Sequence, residues 1–363
     1  MSTGGRLKEL RARIDRLDEE IQARISERAG FARDIAILKT KDGNGSLYRP
    51  ERESEILRRV VARNTGPLPA AEMARLFREI ISACLAIESP MRVAYLGPPG
   101  TFTQAATLKH FGHSVEAAPL TSIGDVFREV EAGRAGFGVV PIENSTEGVI
   151  NHTLDLFVDS PLRICGEVEV RIHHQLLGKG TFTRGARGAK RLLSHAQSLA
   201  QCRHWLDANL PDVERIAVAS NAEAARRAAR EKGILAIASE TAAELYGLRV
   251  LAKNIEDEPD NTTRFLIIGK LDTEPSGTDK SSLMFSGHNR AGSLAALLAP
   301  LSRYAINMTR IESRPSRRAL WEYVFFVDIE GHRCDEAVSK ALADLEKGAA
   351  FFKFLGSYPR AVL

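Results

Sequence analysis

The 363-residue sequence predicts three unlike units in series: an all-helical segment, an α/β region and a small α+β unit. Three observations carry this. Residues 7–38 repeat apolar side chains at alternating spacings of three and four, the mark of a long amphipathic helix. Between residues 91 and 272, short apolar runs alternate with helical patterns across polar loops, which implies α/β layers. From about residue 280 the order is strand, helix, strand, strand, helix, strand, the ferredoxin-like arrangement. The expected boundaries are 1–90, 91–272 and 280–363.

Bulk properties narrow the function. A net charge of +4 and the lack of any basic tract with interleaved aromatics argue against a nucleic-acid partner. The N-terminus has no apolar core of a signal peptide, and no apolar run is long enough to span a membrane. Cys84, Cys165, Cys202 and Cys334 are scattered without a CxxC, as in a reducing cytoplasm. The nine histidines show no metal-ligand spacing, so neither metal nor cofactor is expected.

In the first unit, Leu7, Leu10, Ile14, Leu17, Ile21, Phe31, Ile35 and Leu38 form the stripe, and Arg24 and Arg28 fill its two missing slots. Further helices are expected over 51–63 and 70–87. Three helices make too small a core for a monomer, so an intertwined homodimer or higher homo-oligomer is expected. Arg28 and Lys39 fall on nearly one face, ~16 Å apart, whereas Arg11 falls about 100° away and suits a site shared with another helix or subunit. A lone arginine is usually a solvated charge; one inside an apolar stripe needs an anionic partner.

With LRARID, ERAGFA, Lys39 and RPERE, residues 7–88 resemble the all-helical class of chorismate mutase. The resemblance implies that Arg11 of one subunit, with Arg28 and Lys39 of the other, grips two carboxylates and an ether oxygen. It also implies that Arg52 positions this set and Glu53 takes the substrate hydroxyl. A pericyclic rearrangement needs no nucleophile, only a dicarboxylate held in a reactive shape and positive charge where negative charge develops. Two positions depart or stand out. Cys84 replaces a small polar residue and reads as core. Glu88 faces the ether oxygen, and a carboxylate there must be protonated to donate.

The middle unit repeats one device, a strand ending in a polar loop that opens a helix. RVAYLGPPGTFTQAA offers Thr101 or Thr103 as the cap. VVPIENSTEG presents Glu143, Asn144, Ser145 and Thr146, and LLSHAQSLAQC presents Ser194, His195 and Gln197. ERIAVASNAEAA and ILAIASETAA repeat the pattern. Ligands in such sheets sit at the carboxyl ends of strands, and helix starts attract anions. Neither Ser145 nor Ser194 lies in GxSxG, and either would need a local base to act as a nucleophile. His195 is as consistent with a satisfied loop histidine as with a site residue.

GPPGTFTQAA, VVPIENSTEG, SHAQSLAQC and NTTRF occur in the order found in prephenate dehydratase, which residues 92–271 resemble, with mild departures at Ala196 and Ser198. This implies two α/β lobes of periplasmic-binding-protein-like fold with the site between them and Thr263 as the catalytic threonine. Thr101, Glu143, Asn144, Ser145, Ser194, His195, Gln197 and Arg264 are the implied substrate-binding set, with Arg264 open between anion binding and lobe packing. Prephenate loses CO2 and hydroxide to form an aromatic ring, and a threonine hydroxyl can hydrogen-bond to the leaving oxygen or relay a proton to it.

GSL at Gly292–Leu294, Asn307, and ESRP at Glu312–Pro315 give residues 280–363 a resemblance to the ACT domain. Gly292, Leu294, Asn307, Glu312, Ser313 and Arg314 are the implied phenylalanine site, used for feedback inhibition. The three resemblances converge on one route: chorismate to prephenate to phenylpyruvate. Arogenate as the second substrate, or a non-catalytic amino-acid-sensing binding protein, are the alternatives. The second leaves Arg28 in the stripe and Thr263–Arg264 without a purpose.

Overall fold

A computed structural model describes residues 3–41, 48–180, 189–288, 290–315 and 323–362. Three helices open the chain: α1 (Thr3–Lys41), α2 (Pro50–Arg63) and α3 (Ala70–Glu88). At 39 residues, α1 is roughly 58 Å long. It packs on α3, yet Leu7, Leu10, Ile14, Leu17 and Ile21 remain 46–55 % exposed. The core of this segment is correspondingly small: Leu57, Ala74 and Ile81, closed by Val362 from the far end of the chain. Among the described residues no helix is long and apolar enough to cross a membrane.

The first α/β unit comprises β1 (Arg92–Leu96), α4 (Phe102–Phe111), β2 (Glu116–Leu120), α5 (Ile123–Glu131), β3 (Phe137–Asn144), β4 (Gly148–Val149), α6 (Asn151–Phe157) and β5 (Arg163–Arg171). The chain then leaves to build a second sheet. That unit holds β6 (Gln175–Gly178), β7 (Arg191–Ser194), α7 (Ala196–Gln201), α8 (Arg203–Asn209), β8 (Glu214–Ala217), α9 (Asn221–Arg230), β9 (Ile234–Ala238), α10 (Glu240–Tyr246) and β10 (Arg249–Ala252). It returns as β11 (Thr262–Gly269), which inserts between β3 and β5.

The first sheet therefore runs β2-β1-β3-β11-β5, with β4 on β3, and the second runs β10-β6-β9-β7-β8. β11 is antiparallel to both neighbours, as its return from the second lobe requires. The two lobes are joined by two crossings, residues 172–174 and 253–261, tied by Ile172 N–H to Asn261 O at 2.8 Å and Ile255 N–H to His174 O at 2.9 Å.

The last unit is β12 (Asp279–Ser286), α11 (Ser293–Arg303), β13 (Met308–Pro315), β14 (Tyr323–Glu330), α12 (Glu336–Gly348) and β15 (Phe351–Pro359). Its antiparallel sheet, ordered β13-β14-β12-β15, has the ferredoxin-like topology. One face carries α11 and α12; the other lies on the first sheet. Ile164, Leu266 and Ile268 share a core there with Met284, Phe326, Leu355 and Tyr358. On the opposite face of the first sheet, Val139, Phe265 and Ile267 pack with α4 residues and Tyr48.

The two sheets meet most closely at Gly356. Its φ is +149°, and a Cβ there would overlap the carbonyl oxygen of Ile164 in β5. Gly356→Ala is expected to lower unfolding stability by about 1–3 kcal/mol, the usual cost of overpacking. Urea titration measures this; an unchanged midpoint would mean the sheets do not approach so closely.

Candidate active sites

A cavity of about 430 Å³ lies between the two α/β lobes. Strand-to-helix junctions from both sides supply its wall. Thr101 caps α4, accepting from Gln104 N–H, and Ser220 caps α9, accepting from Glu223 N–H. Both caps line the cleft, so two helix starts face it. Thr103 sits inside α4 and also lines it. Ser239 donates to Gly100 O at 3.0 Å and Tyr246 to Pro99 O at 3.0 Å, so the second lobe is latched to the GPPG loop.

The hydrogen bonds around Thr263 fix what its hydroxyl can do. Asn144 Oδ1 accepts from Thr146 N–H at 3.0 Å and Glu147 N–H at 3.1 Å. Backbone N–H groups cannot reverse, so the amide orientation of Asn144 is set and its Nδ2 must donate. It donates to Asn261 Oδ1 at 2.7 Å and to Thr263 Oγ1 at 2.8 Å. Thr263 thus accepts from the protein, and no acceptor among the described residues takes its proton. That proton is left for the cleft, which Thr263 lines.

The second lobe holds a further network. Ser194 Oγ lies 2.8 Å from Asn221 Oδ1 and 2.9 Å from Ile237 O, His195 N–H donates to Asn221 Oδ1 at 3.0 Å, and Asn221 Nδ2 donates to Ser198 Oγ at 2.8 Å. Across the cleft, Gln201 Nε2 lies 3.2 Å from Glu147 Oε1, which leaves Gln201 Oε1 to accept from His174 Nε2 at 2.8 Å. His174 is therefore held as the Nε2–H tautomer, and its buried Nδ1 has no protein partner. Burial lowers the pKa of this imidazole and keeps it neutral.

Of the expected substrate-binding set, Thr101, Asn144, His195 and Gln197 line this cleft, as does Thr263, expected as the catalytic threonine. Four do not. Ser194 is fully buried and anchors Asn221 instead. Ser145 is tied to the β11 backbone, its N–H donating to Thr262 O and its Oγ accepting from Thr262 N–H. Glu143 and Arg264 face the third sheet, because residues adjacent along a strand point to opposite faces. Arg264 bonds Glu167 at 2.9 Å, Asp328 at 2.6 Å and Tyr358 at 3.0 Å, so it packs units together and does not line the cleft. Sequence reasoning missed His174, Gln201, Asn221, Ser239 and Asn261. Gln201 was within reach, four residues after Gln197 on one helix face.

The helical segment has its own cavity, about 290 Å³, lined by Arg28, Lys39, Arg49, Arg52, Glu53, Cys84 and Glu88 among others. Arg28 Nη1 donates to Cys84 Sγ at 2.9 Å. Arg24, the other cation in the stripe, is 81 % exposed and pairs with Glu27. Burial raises the pKa of Glu88 against the opposing influence of Lys39 and Arg28. Burial likewise raises Glu53, whose Oε1 lies 3.3 Å from Arg78 Nε. Arg11 is not brought to this cavity: seventeen residues separate it from Arg28, roughly 26 Å of helix.

In the third unit, Gly292 precedes α11 with φ +79° and Leu294 packs into its core. Ser313, Phe325 and Phe285 stand on one rung across β13, β14 and β12, and β12 leads directly into the Gly292 loop. Gly287 abuts Ser293, so the GSL loop and the ESRP strand reach the same end of the sheet. Asn307 is exposed before β13, its carbonyl accepting from Glu330 N–H. Glu312 is half-buried on β13. Arg314 points away from this group and pairs with Asp155 of α6 at 2.8 Å, a correction to its expected place in an effector site.

Comparison with known proteins agrees with this geometry. Family profiles match in order: chorismate mutase type II over residues 10–89, prephenate dehydratase over 93–273 and ACT domain over 281–347. A bifunctional chorismate mutase/prephenate dehydratase of Stutzerimonas stutzeri is 55 % identical over 100 % of both chains. One of Pseudomonas aeruginosa is 54 % identical, again over 100 % of both. A solved prephenate dehydratase from Arthrobacter aurescens, in complex with L-Phe, is 34 % identical with a TM-score of 0.68, covering 75 % of this chain and 90 % of that one. Three units in this order, matched end to end at this identity, mean that the chain belongs to the bifunctional chorismate mutase/prephenate dehydratase family with a C-terminal ACT domain.

Proposed function

We propose that the cleft between the α/β lobes dehydrates prephenate to phenylpyruvate, that the helical cavity rearranges chorismate to prephenate, and that phenylalanine binds the ACT unit and inhibits. The observation that carries the first assignment is the hydroxyl of Thr263, made a donor by Asn144. In the reaction the bond from the ring to its carboxylate breaks, and that electron pair moves through the diene to expel hydroxide from the opposite carbon. Thr263 donates to the departing oxygen, which needs help because hydroxide is a poor leaving group. The cleft lining holds no Lys or Arg among the described residues. A guanidinium on the departing carboxylate would hold charge where it has to be lost, so this absence suits decarboxylation. The remaining carboxylate is served by N–H groups and hydroxyls at the starts of α4 and α9.

For the mutase, Arg28, Lys39 and Arg52 hold the dicarboxylate, and Arg11 completes the site from a second copy. The exposed stripe of α1 supports that dimer, since five large apolar side chains in a row need cover. Protonated Glu88 donates to the ether oxygen as the C–O bond breaks.

Thr263→Ala is expected to reduce dehydration at least about a hundredfold while chorismate consumption continues. Loss of both activities would indicate misfolding, and an active variant would remove Thr263 from the chemistry. Mutase activity is expected to fall as pH rises, because the useful form of Glu88 is the protonated one and its raised pKa carries that form upward from the ordinary range. Glu88→Gln should flatten the profile; an unchanged profile would contradict the role. Finally, Arg11→Ala and Arg28→Ala should each lack mutase activity, yet mixing them after subunit exchange should restore about a quarter of wild type, from one intact site in each mixed dimer. No recovery on mixing would place both arginines in the same subunit's site.

A further inference from the structure

On the ladder between β3 and β11, Thr263 stands opposite Asn144, and the next rung is Arg264 opposite Glu143. The first rung serves the cleft. The second, by alternation, faces the third sheet. There β13 and β14 place Arg310 opposite Asp328. The two rungs meet with their charges crossed: Arg264 Nη1 lies 2.6 Å from Asp328 Oδ2, and Arg310 Nε lies 3.2 Å from Glu143 Oε2.

We propose that this four-charge clamp is the positioning device through which the ACT sheet sets the geometry of Thr263 and Asn144. The inference rests on the reading of Thr263 as the donor to the leaving oxygen. Adhesion between the sheets does not need the clamp, because an apolar core already joins them and buried ion pairs are poor substitutes for apolar contact. Its placement is what matters. The register between β3 and β11 shifts immediately after this rung, with Arg264 opposite Glu143 and Phe265 opposite Pro141. A bulge there bends the ladder and re-aims the side chains of the last two rungs.

The two arms of the clamp are unequal. Asp328 is buried and Arg264 half-buried, and both are held by further partners, Glu167, Tyr358 and Ser282. Glu143 is 38 % exposed, and Arg310 keeps a buried Nη2 without a hydrogen-bond partner. The Arg310–Glu143 arm is thus the one that opens. Arg310 lies two residues from Glu312 along β13, so a ligand held by the ESRP strand acts on this arm first.

The test uses the full-length protein and three variants: Arg310→Gln, Glu143→Gln and Arg310→Lys. Dehydratase kcat and KM and the half-inhibiting phenylalanine concentration are measured, with mutase turnover in each preparation as the control for folding. The two Gln variants should lose about tenfold to a hundredfold in kcat with KM little changed, the scale of a misplaced catalytic group. Their phenylalanine response should shift by about tenfold or disappear. Arg310→Lys should recover most of both, because it keeps a cation between Glu143 and Asp328. Wild-type kcat and response in both Gln variants, or an Arg310→Lys variant no better than Arg310→Gln, would overturn the clamp. So would a rise in KM alone, which would put Glu143 in substrate binding. Thr263→Ala in the same series separates the two levels: an active Thr263→Ala overturns the site reading and the clamp together, whereas an inactive one beside unaltered Gln variants overturns the clamp alone.

Discussion

The guanidinium of Arg264 lies in the seam between the first and third sheets, where Glu167, Asp328 and the Tyr358 hydroxyl converge on it. Glu167 also takes Lys280 at 2.9 Å, so the cluster balances two cations against two carboxylates. Burial works against the Arg264 cation, and its oxygen partners nonetheless raise its pKa above the ordinary value. Burial also opposes the Asp328 carboxylate, which Arg264 and Ser282 hold below the usual range. Such a cluster adds little net stability over a well-packed apolar seam, but loss of one member strands a charge at a cost of about 3–5 kcal/mol. Its effect is therefore on register. The observed placement of β12, β14 and β15 over β5 and β11 satisfies all four charges. Because β11 alternates, fixing Arg264 on one face fixes Thr263 on the other.

On the proposed assignments, the two cavities meet an anionic substrate in opposite ways, and the chemistry accounts for the difference. The rearrangement retains both carboxylates and develops charge on an ether oxygen, so the helical cavity concentrates Arg28, Lys39, Arg49 and Arg52. The dehydration destroys one carboxylate, and the described lining of the cleft offers dipoles for it: amides, hydroxyls and the starts of α4 and α9. Dipoles preorganised by their own hydrogen bonds need little reorganisation as charge moves. Asn144 shows how this is done, since its three acceptor contacts lie within its own loop and its two donor contacts reach β11 and the crossing before it.

Much of this was legible in the sequence, and the limits have a physical cause. The α1 stripe, the caps at Thr101, Ser220 and Ser239, and the order of the last unit are local patterns, set by neighbours within a few residues. Thr263 was found because NTTRF is a contiguous motif. Arg264 in the same motif was left open, since its meaning lies in Asp328 and Tyr358, 64 and 94 residues away. Ser194 read as a cleft hydroxyl for the same reason: its loop is right, but Asn221 and Ile237 claim the side chain. His174 and Asn261 escaped because they lie on the two crossings, where no strand or helix period marks them. Alternation along β11 was the usable signal left unused, for it already separates Thr263 from Arg264.

The helical segment is more than a tethered neighbour. Arg58 Nη2 donates to Ser276 O at 2.5 Å, Tyr48 meets His110 at 3.0 Å, and Val362 completes the core of Leu57, Ala74 and Ile81. Burial, reinforced by nearby Arg78, lowers His110 to about 3, so the Tyr48 contact is one between neutral groups. Glu53 stands where these contacts meet. On one side it lines the cavity with Arg28 and Lys39; on the other it lines a small crevice shared with Arg78, His110 and the chain end from Pro359 to Val362. The segment's own core is small, Leu57, Ala74 and Ile81. It borrows core from the last residues of the ACT unit, and the price is that the carboxylate assigned to the chorismate hydroxyl is positioned by the same residues that seat that unit.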